Sequence, residues 1–173
     1  MMIDTQRLLL REMGPSDLPA LRKILQDAEV MYAYEHAFDE DEVRAWYDKQ
    51  RRNYREDGFG LWAVVLKETG EMIGDCGLTW QDCGGDRVLE IGYHLQKAHW
   101  HRGYAIEAAA ACKRWAFDTL SADEVFSIIR ENNVPSQNVA KRNGMEVRKT
   151  FIKHYYGMDM PHLAFSIKRE KGK

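Results

Sequence analysis

Glu90-Ile-Gly-Tyr-His-Leu95-Gln-Lys-Ala-His-Trp100-His-Arg-Gly-Tyr-Ala105-Ile-Glu-Ala108 is the stretch on which the reading of this chain turns. A strand ends near Leu95, a short loop follows, and a helix opens at Gly103-Tyr104-Ala105. The first amides of a helix have no partner within it. Aimed at one point and aided by the helix dipole, they form an anion site suited to phosphate or pyrophosphate. Gly103 has no Cβ, so a ligand can approach the backbone closely, and Arg102 and Lys97 can add positive charge. Ala105, Ala108, Ala109, Cys112 and Ala116 form a face of small side chains that lets the helix lie close to a sheet. A strand-loop-helix junction that binds nothing would look much the same, so the surroundings must decide.

Working outward, Phe59 to Leu66 is nearly continuous in apolar residues, the pattern of a strand covered on both faces. The turns Thr69-Gly70-Glu71 and Cys83-Gly84-Gly85-Asp86 predict an antiparallel meander through Met72 to Trp80 and Val88 to Leu95. Arg7 to Arg11 reads as an opening strand. Ser16 reads as the N-cap of a helix carrying Leu18, Leu21, Ile24 and Leu25, and a second helix fits Asp39 to Asp57. After the central helix, Glu124 to Ile129 reads as a strand and Val134 to Asn143 as a short helix stopped by Gly144. Met145 to Tyr155 and His162 to Lys168 close the chain around a turn at Gly157 to Pro161. The order β-α-α-β-β-β-α-β-α-β-β is an α/β (α+β) fold, neither a TIM barrel nor a Rossmann domain.

The 173 residues suit a single domain, 1–173, with no repeat or linker to divide it. Hydrophobic residues at 45% and charged residues at 30% exclude a wholly disordered chain. With 25 Lys+Arg against 27 Asp+Glu there is no global basic field, which argues against a nucleic-acid ligand. No apolar run is long enough to cross a membrane, and the N-terminus is charged too early for a signal peptide. Cys76, Cys83 and Cys112 form no CxxC and leave one odd, so the expectation is a reduced, cytoplasmic protein without disulfides. His94, His99 and His101 lie close in sequence but lack zinc-ligand spacing, so no metal is expected.

Three ordered motifs then set the family. Glu90-Ile-Gly92-Tyr93-His-Leu95 is followed by Trp100-His-Arg-Gly103-Tyr104-Ala105-Ile-Glu107-Ala108, and then by Asn133-Val-Pro-Ser136 ending in Gly144-Met145. With the opening Arg7-Leu-Leu-Leu-Arg11-Glu12, they resemble the GNAT superfamily of acetyl-CoA-dependent N-acetyltransferases over essentially the whole chain. The branch most similar includes ribosomal-protein alanine and spermidine acetyltransferases. The resemblance implies a mixed, mostly antiparallel central sheet of six or seven strands flanked by about four helices. It implies acetyl-CoA as co-substrate and direct transfer of the acetyl group to a primary amine in a ternary complex.

It also implies roles. The loop His101, Arg102, Gly103, Tyr104 and Ala105 would hold the pyrophosphate, although His101 stands where the family usually has Gly. The Leu95 amide would polarise the thioester carbonyl, Asn133 would reach the pantetheine arm, and Arg142 would lie beside the nucleotide end. An ammonium must lose a proton before it can attack; Glu90 would take it through a water, with His94 another candidate. Ser136 would protonate the leaving thiolate, since Ala140 stands where many relatives carry a tyrosine acid. Each has an ordinary alternative: Glu90 a solvated strand residue, Asn133 and Ser136 a helix cap, Arg142 a solvated helix face. The acidic run Asp39-Glu-Asp-Glu42, with Glu35, would draw a cationic acceptor such as a polyamine or a protein N-terminus. A homodimer stays open, as does the rival reading of a catalytically idle acyl-CoA-binding or regulatory domain. A nucleotide-binding module is disfavoured by the lack of a Walker sequence.

Overall fold

The computed structural model of the protein describes residues 1–170; residues 171–173 of the expected domain lie outside them. β1 (Met2–Asp4) and β2 (Leu8–Arg11) precede a 3-10 turn at Pro15–Asp17 and α1 (Leu18–Leu25). A second 3-10 turn (Tyr32–Tyr34) leads to α2 (Glu40–Glu56), then β3 (Leu61–Leu66), β4 (Met72–Cys83) and β5 (Asp86–Leu95). α3 (Tyr104–Asp118), β6 (Glu124–Arg130), α4 (Val134–Arg142), β7 (Glu146–Tyr155) and β8 (Met158–Lys168) complete the order. The strands make one eight-stranded sheet, β1-β2-β3-β4-β5-β6-β8-β7. Every neighbouring pair is antiparallel except β5 with β6.

Both faces are covered, as the unbroken burial of β3 requires. One layer packs Trp62, Leu78, Ile91 and Phe165 against α3 and Ala140 of α4. Ala109, Cys112 and Ala116 are fully buried there, so the small-residue face does bring α3 down onto the sheet. The Sγ atoms of Cys76 on β4 and Cys112 on α3 lie 3.6 Å apart as free thiols. The other layer packs Leu21, Ile24 and Leu25 of α1 and Val43 of α2 against Ala63 and Val65.

Eight strands replace the expected six or seven because Met2–Asp4 adds an edge strand. Three residues are too few to show a period, and its turn is closed by Thr5, whose hydroxyl accepts from the Leu8 amide at 2.9 Å. Asp17, not Ser16, anchors the start of α1. Its buried carboxylate accepts from the Gly14 amide at 2.8 Å and from both terminal nitrogens of Arg11 at 2.7 and 2.9 Å. α2 starts as its sequence predicts: Asp39 accepts from the Glu42 amide while Glu42 accepts from the Asp39 amide. The last hairpin is tighter than expected. Tyr156 and Gly157, at φ of +52° and +70°, turn the chain in two residues. Pro161 lies inside β8, one residue past the last pairing with β6 (Arg130 with His162), where its missing N–H breaks no ladder on that side.

β5 and β6 share a single pairing, Glu90 with Phe126, reinforced by the Ser127 hydroxyl donating to the Ile91 carbonyl at 2.9 Å. Beyond it the two strands part, and the cavity described below opens between them. The sheet beside this fork is tight: a Cβ on Gly77 of β4 would lie 1.9 Å from the Gly60 carbonyl oxygen. Backbone cannot swing aside as a side chain can. Gly77→Ala is therefore expected to cost about 2–3 kcal/mol, read as a lower urea midpoint with an unchanged slope.

Candidate active site

A cavity of about 1400 Å³ runs from the N-terminus of α3, through the β5–β6 fork, to the 3-10 turn at Tyr32–Tyr34 and α2. Ordinary small-molecule pockets hold roughly 300–1,000 Å³, so two ligands can lie end to end here. It is built from three parts.

At one end, His101 and Gly103 both have positive φ, +61° and +78°. His101 thus occupies a left-handed position, which explains on backbone grounds why glycine is the usual residue there. Gly103 is the N-cap of α3 and supplies no side-chain cap, so the first amides of the helix stay available where Gly103, Tyr104, Ala105 and Ile106 line the cavity. Arg102 is exposed, and Lys97 pairs with Glu29, which lines the cavity, at 2.6 Å. The start of the helix is clamped from beneath by the chain's own N-terminal turn. Glu107 accepts from Thr5 Oγ1 (2.7 Å), the Arg7 amide (2.8 Å) and Arg7 Nε (2.7 Å). Arg7 Nη1 donates to the Arg102 carbonyl at 2.9 Å, and its guanidinium lies 4.5 Å over the Tyr104 ring.

At the fork, Glu90 faces the cavity while Oε2 accepts from the Ile128 amide at 3.1 Å. Burial pushes its pKa up to about 7, against the opposing pull of Lys153, the Ile128 hydrogen bond, His94 and Lys49. Opposite it, Asn133 caps α4 by accepting from the Ser136 amide at 3.2 Å, and it also accepts from the Tyr32 hydroxyl at 2.8 Å. The Ser136 hydroxyl takes no part in that cap, and Ser136, Asn133 and Arg142 all line the cavity. Tyr93 spans the fork by donating to the Ser136 carbonyl at 2.7 Å. Leu95 is buried, and its carbonyl accepts from Trp100 Nε1 at 3.0 Å.

At the far end the wall is aromatic. Tyr34 meets Phe38, Trp46 and Tyr155 edge-on, with centroids 5.9, 6.2 and 6.1 Å away. The sequence missed Tyr34 and Asp75 because nothing local marks them. Tyr34 lines the cavity once the 3-10 turn packs beside α2, and Asp75 is buried behind His94 through the β4–β5 register. Tyr93, by contrast, stands within the Glu90-to-Leu95 motif and also lines the cavity. The acidic run is placed differently from expectation. Asp39 and Glu42 cap α2, Glu40 pairs with Arg22 at 2.7 Å, Glu42 meets His36 at 2.7 Å, and Glu35 pairs with Arg130. None of Glu35, Asp39, Glu40 or Glu42 lines the cavity. The three neighbouring histidines all line the cavity but engage different partners: His94 meets Asp75, His99 lies near Glu71, and His101 is exposed.

The acetyltransferase (GNAT) domain family matches residues 7–146, and the chain belongs to it. It is 36% identical to the uncharacterized protein YkkB of Bacillus subtilis over 150 residues, 86% of this chain and 87% of that one. It is 30% identical to the uncharacterized N-acetyltransferase YnaD of the same organism over 154 residues, 88% and 86% of the two chains. Among solved structures, an acetyltransferase from Agrobacterium tumefaciens superposes with a TM-score of 0.83 at 27% identity, covering 98% of this chain and 95% of that one. RimL, a ribosomal alpha-N-protein acetyltransferase solved in complex with coenzyme A, shares the fold with a TM-score of 0.78 at 15% identity over 97% and 98%.

The N-terminal clamp can be tested by itself. Burial alone would raise the Glu107 pKa, but the Arg7 amide, the Thr5 hydroxyl and the Arg7 guanidinium together bring it below its ordinary value. A lowered carboxylate pKa stabilises the fold above the unfolded value and loses that effect as the pH falls through the folded one. Arg7 is partly solvent-screened, so Glu107→Gln should cost about 1–2 kcal/mol at pH 7. The gap should close as the pH drops below about 4, measured by urea unfolding at both values.

Proposed function

We propose that this chain transfers an acetyl group from acetyl-CoA to a primary amine by direct attack within a ternary complex, as one domain spanning residues 1–173. The observation that carries the reading is Glu90, a carboxylate at the fork between β5 and β6, facing a cavity that also reaches the uncapped N-terminus of α3. The fit to the co-substrate rests on that terminus: its free amides and the positive-φ loop suit a pyrophosphate, and the fork suits a narrow pantetheine arm. Acetyl-CoA would supply the activated acyl group; the chain's own residues bind, orient and move protons. Amides of Tyr104 and Ala105 would hold the phosphates, with Arg102 and Arg142 adding charge. Leu95 would present its amide to the thioester, and Asn133 and Ser136 would line the arm, Ser136 as the proton donor to sulfur.

Glu90 would take a proton from the acceptor ammonium through a water. A base works best when its pKa lies near the working pH, and burial has brought this carboxyl there. The acceptor would be a protein N-terminus, a polyamine or another small amine, entering between α2 and the β7–β8 hairpin. With Asp39, Glu40 and Glu42 engaged elsewhere, its positive charge would meet the aromatic wall and Glu90 instead of an acidic patch. RimL acts on a protein N-terminus, which supports that class among the three. The free thiols of Cys76, Cys83 and Cys112 support a reducing compartment, the cytoplasm.

Coenzyme A at about 100 times its dissociation constant should stabilise the fold by roughly 2.7 kcal/mol, seen as a rise in Tm, while ATP does much less. Gly103→Val should abolish that rise and His101→Gly should keep it; an equal response to ATP would refute the assignment of the site.

Glu90→Gln keeps the size of the side chain but cannot accept a proton. CoA affinity should hold while the rate at neutral pH falls about 10²–10⁴-fold. The wild-type rate should rise through the Glu90 pKa near 7, and the deficit of the variant should shrink at high pH, where the free amine needs no base. The readout is a pH–rate profile of thiol release across a panel of amines. Tight CoA binding with no transfer to any amine would favour the idle, acyl-CoA-sensing domain.

A further inference from the structure

Glu90 is not alone on its face of β5. Side chains alternate along a strand, so Glu90, Gly92 and His94 point the same way. A Cβ added to Gly92 would lie 3.6 Å from Glu90 Oε1, so the missing side chain leaves an open floor between Glu90 and His94. Both side chains line the cavity. His94 Nδ1 is 2.8 Å from Oδ1 of Asp75, a fully buried carboxylate on β4, and Trp46 Nε1 donates to the other oxygen at 3.1 Å. Tyr34 and Trp46 pack against the imidazole with centroids at 5.7 and 5.6 Å, leaving the side chain 12% exposed.

A carboxylate held against Nδ1 keeps the proton on that nitrogen, which leaves Nε2 with the lone pair available to the cavity. The groups facing His94 are Asp75 from β4, Tyr34 from the 3-10 turn, Trp46 from α2 and Glu90 from its own strand. Lys49 of α2, Lys153 of β7 and Tyr155 of the hairpin form the next ring, around Glu90 and Tyr34. Burial pulls the His94 pKa down, but the Asp75 carboxylate, with Glu90 behind it, raises it above its ordinary value.

We propose that His94 is a second base of the reaction, accepting at Nε2 one of the two protons that the acceptor nitrogen must lose, and that Asp75 is its positioning residue. This rests on the acetyltransferase reading. An ammonium that becomes an amide sheds two protons. One leaves before attack to expose the lone pair, and one leaves as the new C–N bond is kept and the C–S bond breaks. Glu90 takes one and His94 the other; one proton returns to the departing sulfur and one goes to solvent. A single carboxyl would have to empty itself between the two transfers, and a second base across the Gly92 gap removes that wait.

The test is the pH dependence of kcat/KM for thiol release by wild type, His94→Gln and Asp75→Asn, with CoA affinity measured beside it. If both bases must be unprotonated, the acid limb of the wild-type logarithmic profile steepens toward a slope of two. His94→Gln should bind CoA normally, reduce the limb to a slope of one, and lose about 10²-fold at neutral pH. Asp75→Asn keeps an acceptor for Nδ1 but removes the charge, so the His94 inflection should move to lower pH. His94→Gln, at a cavity wall, carries the test alone if the buried Asp75→Asn variant does not fold. A His94→Gln profile that differs from wild type by one pH-independent factor overturns this proposal and leaves the acetyltransferase reading standing. Wild type that binds CoA and releases no thiol with any amine overturns both.

Discussion

The structure depends on a single backbone amide that its own sheet abandons. Where β5 and β6 part after the Glu90–Phe126 pairing, the Ile128 N–H has no strand to donate to, and a buried amide left bare is costly. Glu90 Oε2 accepts it at 3.1 Å. One side chain therefore closes the sheet at the fork and places a carboxylate at its apex. The enclosure that accompanies this raises its pKa toward neutrality, so the defect in the ladder and the chemistry of the site have one cause. The Ser127 hydroxyl on the Ile91 carbonyl and the Tyr93 hydroxyl on the Ser136 carbonyl hold the two sides of the opening in the same way.

The end of the cavity at the N-terminus of α3 is organised from a distance. Alanines and a cysteine bring α3 close to the sheet, and the first turn of that helix is gripped by Thr5 and Arg7 from near the start of the chain. Glu107 belongs to the loop motif by sequence, yet it points away from the cavity and into this grip. Its part is to fix where the free amides of α3 aim, although it does not line the cavity itself.

Much of this could be read from the residues because the decisive signals were local. The apolar run of β3, the capping pair Asp39 and Glu42, and the Leu95-to-Gly103 junction each declare their conformation within a few positions. What escaped reading depends on pairs distant in sequence. Asp75 reaches His94 only through the β4–β5 register, and Tyr34 joins the aromatic wall only when the 3-10 turn packs beside α2. β1 was too short to show a period, and Pro161 pointed to a turn because an unpaired stretch beside β6 is not visible in one dimension. The acidic run misled for a related reason: its charge is visible in sequence, while its partners Arg22, His36 and Arg130 are not.

The closeness of α3 to the sheet also sets the behaviour of Cys76 and Cys112. Cys76, Cys83 and Cys112 are all buried, and burial pushes the Cys76 thiol well above its ordinary pKa. Thiolates, not thiols, attack electrophilic reagents, so the Cys76 thiol, enclosed between β4 and α3, is expected to react slowly with a sulfhydryl dye in the folded chain. Labelling of Cys76 or Cys112 reports α3 lifting from β4, while labelling of Cys83 reports the far end of β4 opening. The shielding of Cys76 and Cys112 follows from nothing more than a stripe of small side chains.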